Sequence, residues 1–181
     1  SNKYPTTEIE RTIKVNFLLF LVFARTKNKK IRPQVKPGKK LLYKISPKIF
    51  LDLKFHDIPN TVSRSVLAAA ELGVWMSYVH AFGGVRMMTS AKQMLIEQGS
   101  DMLLIAVTVL TSIDSAELAE IGVSTKLEHQ VLHFARQVKE SGLDGVVCSA
   151  QEARLLRTEM GKKFSLVTPG IRLLGDRNHD Q

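Results

Sequence analysis

Phe50-Leu-Asp-Leu-Lys-Phe-His-Asp-Ile-Pro-Asn-Thr61 is the stretch on which the reading of this chain turns. A short apolar run, Ile49 to Leu53, carries Asp52, and Lys54 follows two places later. Residues two apart in a strand point to the same side, so this carboxylate and ammonium leave the strand end together. Asp57 lies in the turn that follows, and Ile58-Pro59-Asn60-Thr61 opens a helix. One reading of two acids and a lysine in this place is a surface salt-bridge cluster, which does little for folding. The other reading is chemistry.

Outward from this stretch the pattern is regular. Strand-like runs occur at Ile49–Leu53, Val74–His80, Leu103–Val109, Asp144–Cys148 and Phe164–Thr168. Helix-like segments lie between them at Thr61–Leu72, Arg86–Gln98, Ser115–Glu120, Lys126–Ser141 and Ala150–Met160. Gly73, Gly99, Gly142 and Gly161 mark helix stops. Strands that are apolar rather than alternating, interleaved with helices, predict an α/β fold with a parallel sheet covered on both faces. Asp52/Lys54, His80, Thr108/Thr111 and Pro169-Gly170-Ile171-Arg172 sit at or just past several strand C-termini. That is where a (β/α)8 barrel gathers its catalytic groups, whereas a doubly wound sheet favours a single crevice. The expectation is therefore the barrel. No Gly-x-Gly-x-x-Gly or Walker A sequence is present.

The first quarter of the chain differs in composition. Residues 1–48 hold 13 Lys/Arg against 2 Asp/Glu, while residues 49–181 hold 13 against 15, so the formal net charge of +9 comes from the N-terminal segment. The chain divides on this basis into a divergent basic segment, 1–48, and a barrel domain, 49–181. The segment lacks the interleaved aromatics that support base stacking, and a solvated tail is expected rather than a nucleic-acid site. Val15 to Ala24 is apolar but too short for a membrane-spanning helix, which needs about 20 residues. No small-x-small cleavage site follows it, and a buried strand is expected there. The single Cys148 excludes an internal disulfide, fits a reducing compartment, and reads as a small buried apolar residue. His129 and His133 are spaced i, i+4 on a helix without further ligands, which suggests a solvated face rather than a metal pair. His80 is expected to pack or to make a supporting hydrogen bond, and Trp75, Met87 and Met88 to lie in a core or interface.

These motifs together resemble the orotidine 5'-phosphate decarboxylase family, in its bacterial form. The resemblance rests on Phe50–Thr61, Leu72-Gly-Val-Trp-Met76, His80-Ala-Phe-Gly-Gly84, Val107-Thr-Val-Leu-Thr-Ser112, Gly142-Leu-Asp-Gly-Val-Val-Cys-Ser-Ala-Gln-Glu152 and Val167-Thr-Pro-Gly-Ile-Arg172, in family-like order and spacing. Asp-x-Lys-x-x-Asp alone is shared with a sister group of keto-sugar-phosphate decarboxylases that need Mg2+. Ile-Pro-Asn-Thr and Pro-Gly-Ile-Arg point to the orotidylate enzymes. The resemblance implies a cytoplasmic, homodimeric barrel that converts orotidine 5'-monophosphate to UMP in pyrimidine biosynthesis, without metal or organic cofactor and without nucleic-acid or membrane partners.

By the same resemblance Lys54 is the proton donor to pyrimidine C6, Asp52 lies by the departing carboxylate and holds Lys54, and Asp57 completes the array from the neighbouring subunit. Thr61 reaches across the dimer beside Asp57. Thr111 touches the pyrimidine edge, and Arg172 and Gln181 approach the phosphate side. Against the family pattern, the third to seventh barrel strands are legible. The first strand's Ala-Leu-Asp sequence is missing, and the second strand's Lys has only a faint counterpart in Lys36 of Val35-Lys-Pro-Gly-Lys39. The chain stops at Gln181 before the eighth strand and its Gly-Arg grip, so an incomplete barrel is expected. Outside the enzyme class, the rival is a non-catalytic scaffold or a basic module binding RNA or acidic lipid through residues 1–48.

Overall fold

The computed structural model describes residues 48–171 and the backbone of residues 13–15. Its strands are β1 (Ile13–Val15), β2 (Ile49–Phe55), β3 (Met76–His80), β4 (Leu103–Val107), β5 (Gly145–Val147) and β6 (Ser165–Val167). Each pairs in parallel with the next, and their order in the sheet is their order in the chain. A doubly wound sheet reverses its strand order at a switch point. A sheet that adds every new strand to the same edge follows barrel order. Among the described residues the sheet stays open.

The helices are α1 (Pro59–Glu71), α2 (Gly84–Glu97), α3 (Ser115–Glu120), α4 (Leu127–Glu140) and α5 (Ala153–Met160), with a 3-10 turn at Ala81–Gly83. The expected elements are all present, with shifted ends. Helix α1 begins at Pro59 rather than Thr61, because proline lacks only an N–H that the first turn would leave unbonded. Helix α5 begins at Ala153 rather than Ala150. There Ser149 N–H donates to Glu152 Oε2 at 2.8 Å and Glu152 N–H to Ser149 Oγ at 3.4 Å, closing a turn ahead of the helix. Strand β2 runs to Phe55 instead of Leu53, so Lys54 lies within the strand. The four glycines expected to stop helices all adopt positive φ, from 62° to 84°. In the N-terminal region the described strand, Ile13–Val15, meets the expected Val15–Ala24 strand at Val15 only; the rest of that run, with Lys36, lies outside the described residues.

The sheet has two apolar faces, as a parallel sheet covered on both sides requires. Towards the helices, Leu51, Leu53, Val79, Leu104, Ala106, Val146 and Cys148 pack with Val66, Met87, Met88, Leu95, Val131 and Phe134. On the opposite, inner face, Met76, Tyr78, Ile105, Val107 and Val147 form a second cluster, joined by Phe50, Trp75 and Val167. Met87 and Met88 are thus core, and half-buried Trp75 lies on the inner face under the Lys48 ammonium, 5.0 Å from its ring centre.

Between β2 and β3 the register slips: Leu51 pairs with Ser77 but Lys54 with Tyr78, so β2 carries two extra residues, Asp52 and Leu53. One extra residue would turn every later side chain to the other face; two return the strand to phase. Lys54 therefore stays on the inner face beside Tyr78.

At the opposite end of the sheet Asp144 ties four elements together. Its Oδ2 accepts from Lys92 Nζ on α2 at 2.7 Å and from Leu104 N–H on β4 at 2.8 Å, while its carbonyl accepts from Ser165 N–H on β6 at 2.9 Å. The next residue must be glycine for packing reasons, since a Cβ on Gly145 would sit 2.2 Å from the Ser165 carbonyl oxygen. Gly145→Ala is expected to lower stability by about 1–3 kcal/mol as β6 is pushed off β5; a urea midpoint unchanged from the parent chain would contradict this packing.

Candidate active site

Strand β2 presents Asp52 and Lys54 on the inner face. The Asp52 side chain is only 5% exposed and that of Lys54 is 47% exposed, with Lys54 Nζ donating to Asp52 Oδ1 at 3.0 Å. A buried carboxylate is costly without donors. Asp52 gains a second one from the neighbouring strand, where the Tyr78 hydroxyl donates to the same oxygen. The Lys54 ammonium also lies over the Tyr78 ring, 5.3 Å from its centre. Tyr78, which sequence reasoning did not single out, is thus the residue that orients the pair. Only the β2–β3 register could have revealed it.

In front of the pair is a cavity of about 230 Å³ lined by Phe50, Lys54, Tyr78, Val107, Thr111 and Pro169, among others. Thr111, in the loop after β4, lines this cavity together with Lys54. The cavity is smaller than the roughly 300 Å³ at which ligand clefts usually begin. Arg172 and Gln181 lie outside the described residues.

Asp57 does not line this cavity. It lies in the turn before α1, exposed, with its carboxylate accepting from Ile58 N–H at 2.6 Å. It borders a different concavity of about 480 Å³, with His56, Phe82 and Arg86. Thr61 is exposed on the first turn of α1, where its carbonyl accepts from Ser65 Oγ at 2.9 Å. The charged motif is therefore divided: Lys54, bonded to Asp52, lines the inner cavity, and Asp57 borders the outer one.

His80 ends β3 and packs as expected, against His56 and Phe82. Burial first, then the neighbouring His56 and Lys54, hold its pKa below the usual 6.5. A folded-state pKa below the unfolded one contributes stability above about pH 6.5, which is lost as pH falls through the lowered value. His129 and His133 are exposed on α4, and among the described residues no three His, Cys, Asp or Glu side chains are grouped to hold a metal ion. No helix of the described residues is long and apolar enough to cross a membrane.

Residues 11–181 match the model of the family described as orotidine 5'-phosphate decarboxylase / HUMPS. The chain belongs to this family. It is 58% identical over 141 residues to the orotidine 5'-phosphate decarboxylase of Vibrio vulnificus, covering 77% of this chain and 61% of that one. It is 59% identical over 134 residues to the enzyme of that name from Pseudoalteromonas translucida, covering 74% and 57% respectively. The crystal structure of orotidine 5'-phosphate decarboxylase from Lactobacillus acidophilus is similar with a TM-score of 0.65 and 48% identity, over 69% of this chain and 58% of that chain. The chain thus spans about three fifths of the length of the curated relatives it matches. The family membership accounts for the open sheet: its strands are consecutive members of a barrel.

Two outcomes follow from this geometry. Tyr78→Phe leaves the ring but removes a donor from a nearly buried carboxylate, and is expected to cost about 1–3 kcal/mol in urea unfolding. Cys148 lies fully buried, and burial with Glu152 nearby, opposed by Arg157, raises its pKa to about 11. Its thiolate fraction at pH 8 is then roughly one in a thousand. Thiol reagents should label it slowly until denaturant is added; rapid native labelling would contradict the buried site.

Proposed function

We propose that this chain carries the decarboxylation chemistry of orotidine 5'-monophosphate, forming UMP, with Lys54 as the proton donor to C6. The observation that carries the reading is the Asp52–Lys54 pair, 3.0 Å apart on the inner face of a family barrel sheet, whose lysine lines a cavity with Thr111. Departure of carbon dioxide leaves an electron pair on C6 of the pyrimidine. An ammonium held at that carbon offsets the growing negative charge and then delivers its proton there. Fixed charges do this without the reorganisation that water would need, and such preorganisation is worth several kcal/mol.

Asp52, pinned by Tyr78, aims Lys54 and lies by the departing carboxylate. Thr111 contacts the pyrimidine edge, Arg172 and Gln181 the phosphate side, and Lys36 takes the place of the second-strand lysine. Asp57 and Thr61 serve the site of a second subunit in a homodimer; their exposure, and the position of Asp57 away from the Lys54 cavity, support that assignment. On this reading residues 1–48 are a basic segment set before the barrel part, the reaction needs neither metal nor organic cofactor, and the compartment is the cytoplasm. Relatives named orotidine 5'-phosphate decarboxylase at 57–59% identity favour this substrate over that of a keto-sugar-phosphate decarboxylase.

An ultraviolet assay of orotidylate loss tests the proposal. Lys54→Ala should lower kcat by about 10²–10⁴-fold, the range for a lost proton donor, and EDTA should leave the parent rate unchanged. A chain that turns over only with Mg2+, or whose rate survives Lys54→Ala, would sink it.

A further inference from the structure

Between the end of β2 at Phe55 and Asp57 stands the ring of His56, which among the described residues is placed by ring and backbone contacts. It stacks on His80 with centroids 5.4 Å apart and planes 23° apart. Its Cδ2 would lie 3.4 Å from a Cβ on Gly83, so it runs along bare backbone there. His80 is in turn tilted against Phe82 at 5.6 Å, and Phe82 meets Phe134 of α4 edge-on at 4.6 Å. Phe134 is core. A continuous row of rings therefore connects the exposed turn to the interior.

The geometry points to His80 as a positioning residue for the reaction proposed above: its neutral imidazole, at the end of β3, holds the His56 ring in place and so fixes the turn that carries Lys54 at one end and Asp57 at the other. This inference rests on the roles given to Lys54 and Asp57. His80 Nδ1 is buried, with no hydrogen-bond partner among the described residues. A bare ring nitrogen tolerates that position better than an N–H does, which places the proton of the neutral ring on Nε2. Protonation would put an N–H at Nδ1 with no acceptor to meet it. The charged and titratable groups around the pair are Lys54 on β2, Asp57 in the turn and Arg86 on α2, which borders the same concavity as His56. On α4, His133 lies on the far side of the row, 6.1 Å from Phe134. A cation on His80 faces Lys54 and His56, and the stack weakens as pH falls. The lowered pKa of His80 agrees with this direction.

The test uses the full chain and three variants. In His56→Phe, which keeps a ring in the turn and leaves His80 as the imidazole of the stack, the backbone amide resonances of residues 55–58 should shift with the titration of His80, at a midpoint below 6.5. His80→Phe keeps a ring and removes that titration, so added to His56→Phe it should abolish the shift, and alone it should flatten the acid limb of the kcat profile. His80→Ala removes the support and should lower kcat about ten- to hundredfold at neutral pH, as a misplaced group does, with a smaller change in KM. An unaltered acid limb in His80→Phe, or turn amides that do not follow His80, would overturn the inference. Should the parent show no turnover at any pH, the functional reading fails, and the amide titration alone decides whether His80 holds the turn. If His80→Ala does not fold, His80→Phe, alone and added to His56→Phe, still gives both readouts.

Discussion

The carboxylate of Asp52 is nearly buried and, among the described residues, accepts from the Lys54 ammonium of its own strand and the Tyr78 hydroxyl of the next. Such a charge is tolerated only where its partners are held, so the site needs β2 and β3 in one register and no other. That register contains an irregularity, the two extra residues of β2. Because the number is even, Leu51 and Leu53 still face the helices while Phe50 and Lys54 face inward with Tyr78. A single deletion there would exchange the core and site faces of the strand beyond it.

The two faces of the sheet divide the work. Behind it, α1, α2, α4 and α5 bury methionines, valines and leucines in one extended core. In front, the side chains are fewer and include Phe50, Tyr78 and Trp75, which leave room for a cavity. Asp144, through its carboxylate and its backbone, and Gly145, through close backbone packing, lock the far end of β5 against its neighbours. The strand ends that carry Lys54, His80 and Thr111 are thus the ends left open for chemistry, as in a barrel generally.

Most of this was legible in the sequence. Mainly apolar, non-alternating strands of five to seven residues, helices ended by glycine and polar groups at strand ends identified the architecture, and the Phe50–Thr61 motif with those that follow it identified the family. What escaped were facts of register and of contact between strands. Nothing in Met76-Ser-Tyr-Val-His80 says that Tyr78 will stand opposite Lys54, because the two-residue slip in β2 decides it. Nor does spacing reveal that His56 and His80, 24 positions apart, meet face to face. The helix ends moved by one to three residues for local reasons, such as a proline that suits the first turn and a Ser149–Glu152 exchange that delays α5. Along Val15–Ala24 hydrophobicity alone suggested a strand; the described pairing with β2 covers Ile13–Val15 and meets that run at Val15, the rest lying outside the described residues.

The separation of Asp57 from Lys54 is the most consequential of the facts that spacing could not supply. Three residues apart in sequence, they end on opposite sides of a turn, one in the inner cavity and one in the outer concavity with Arg86. A chain that needed all three charges around one substrate would gain nothing from this arrangement by itself. Two copies would, if each lent its turn to the other, and then the angle of that turn becomes as important as the reach of Lys54. A row of rings from Phe134 to His56 is a stiff way to set such an angle, since it acts through packing rather than through long, flexible side chains. In the proposed dimer, what β2 does for Lys54 within one subunit, the His80 stack does for Asp57 between two.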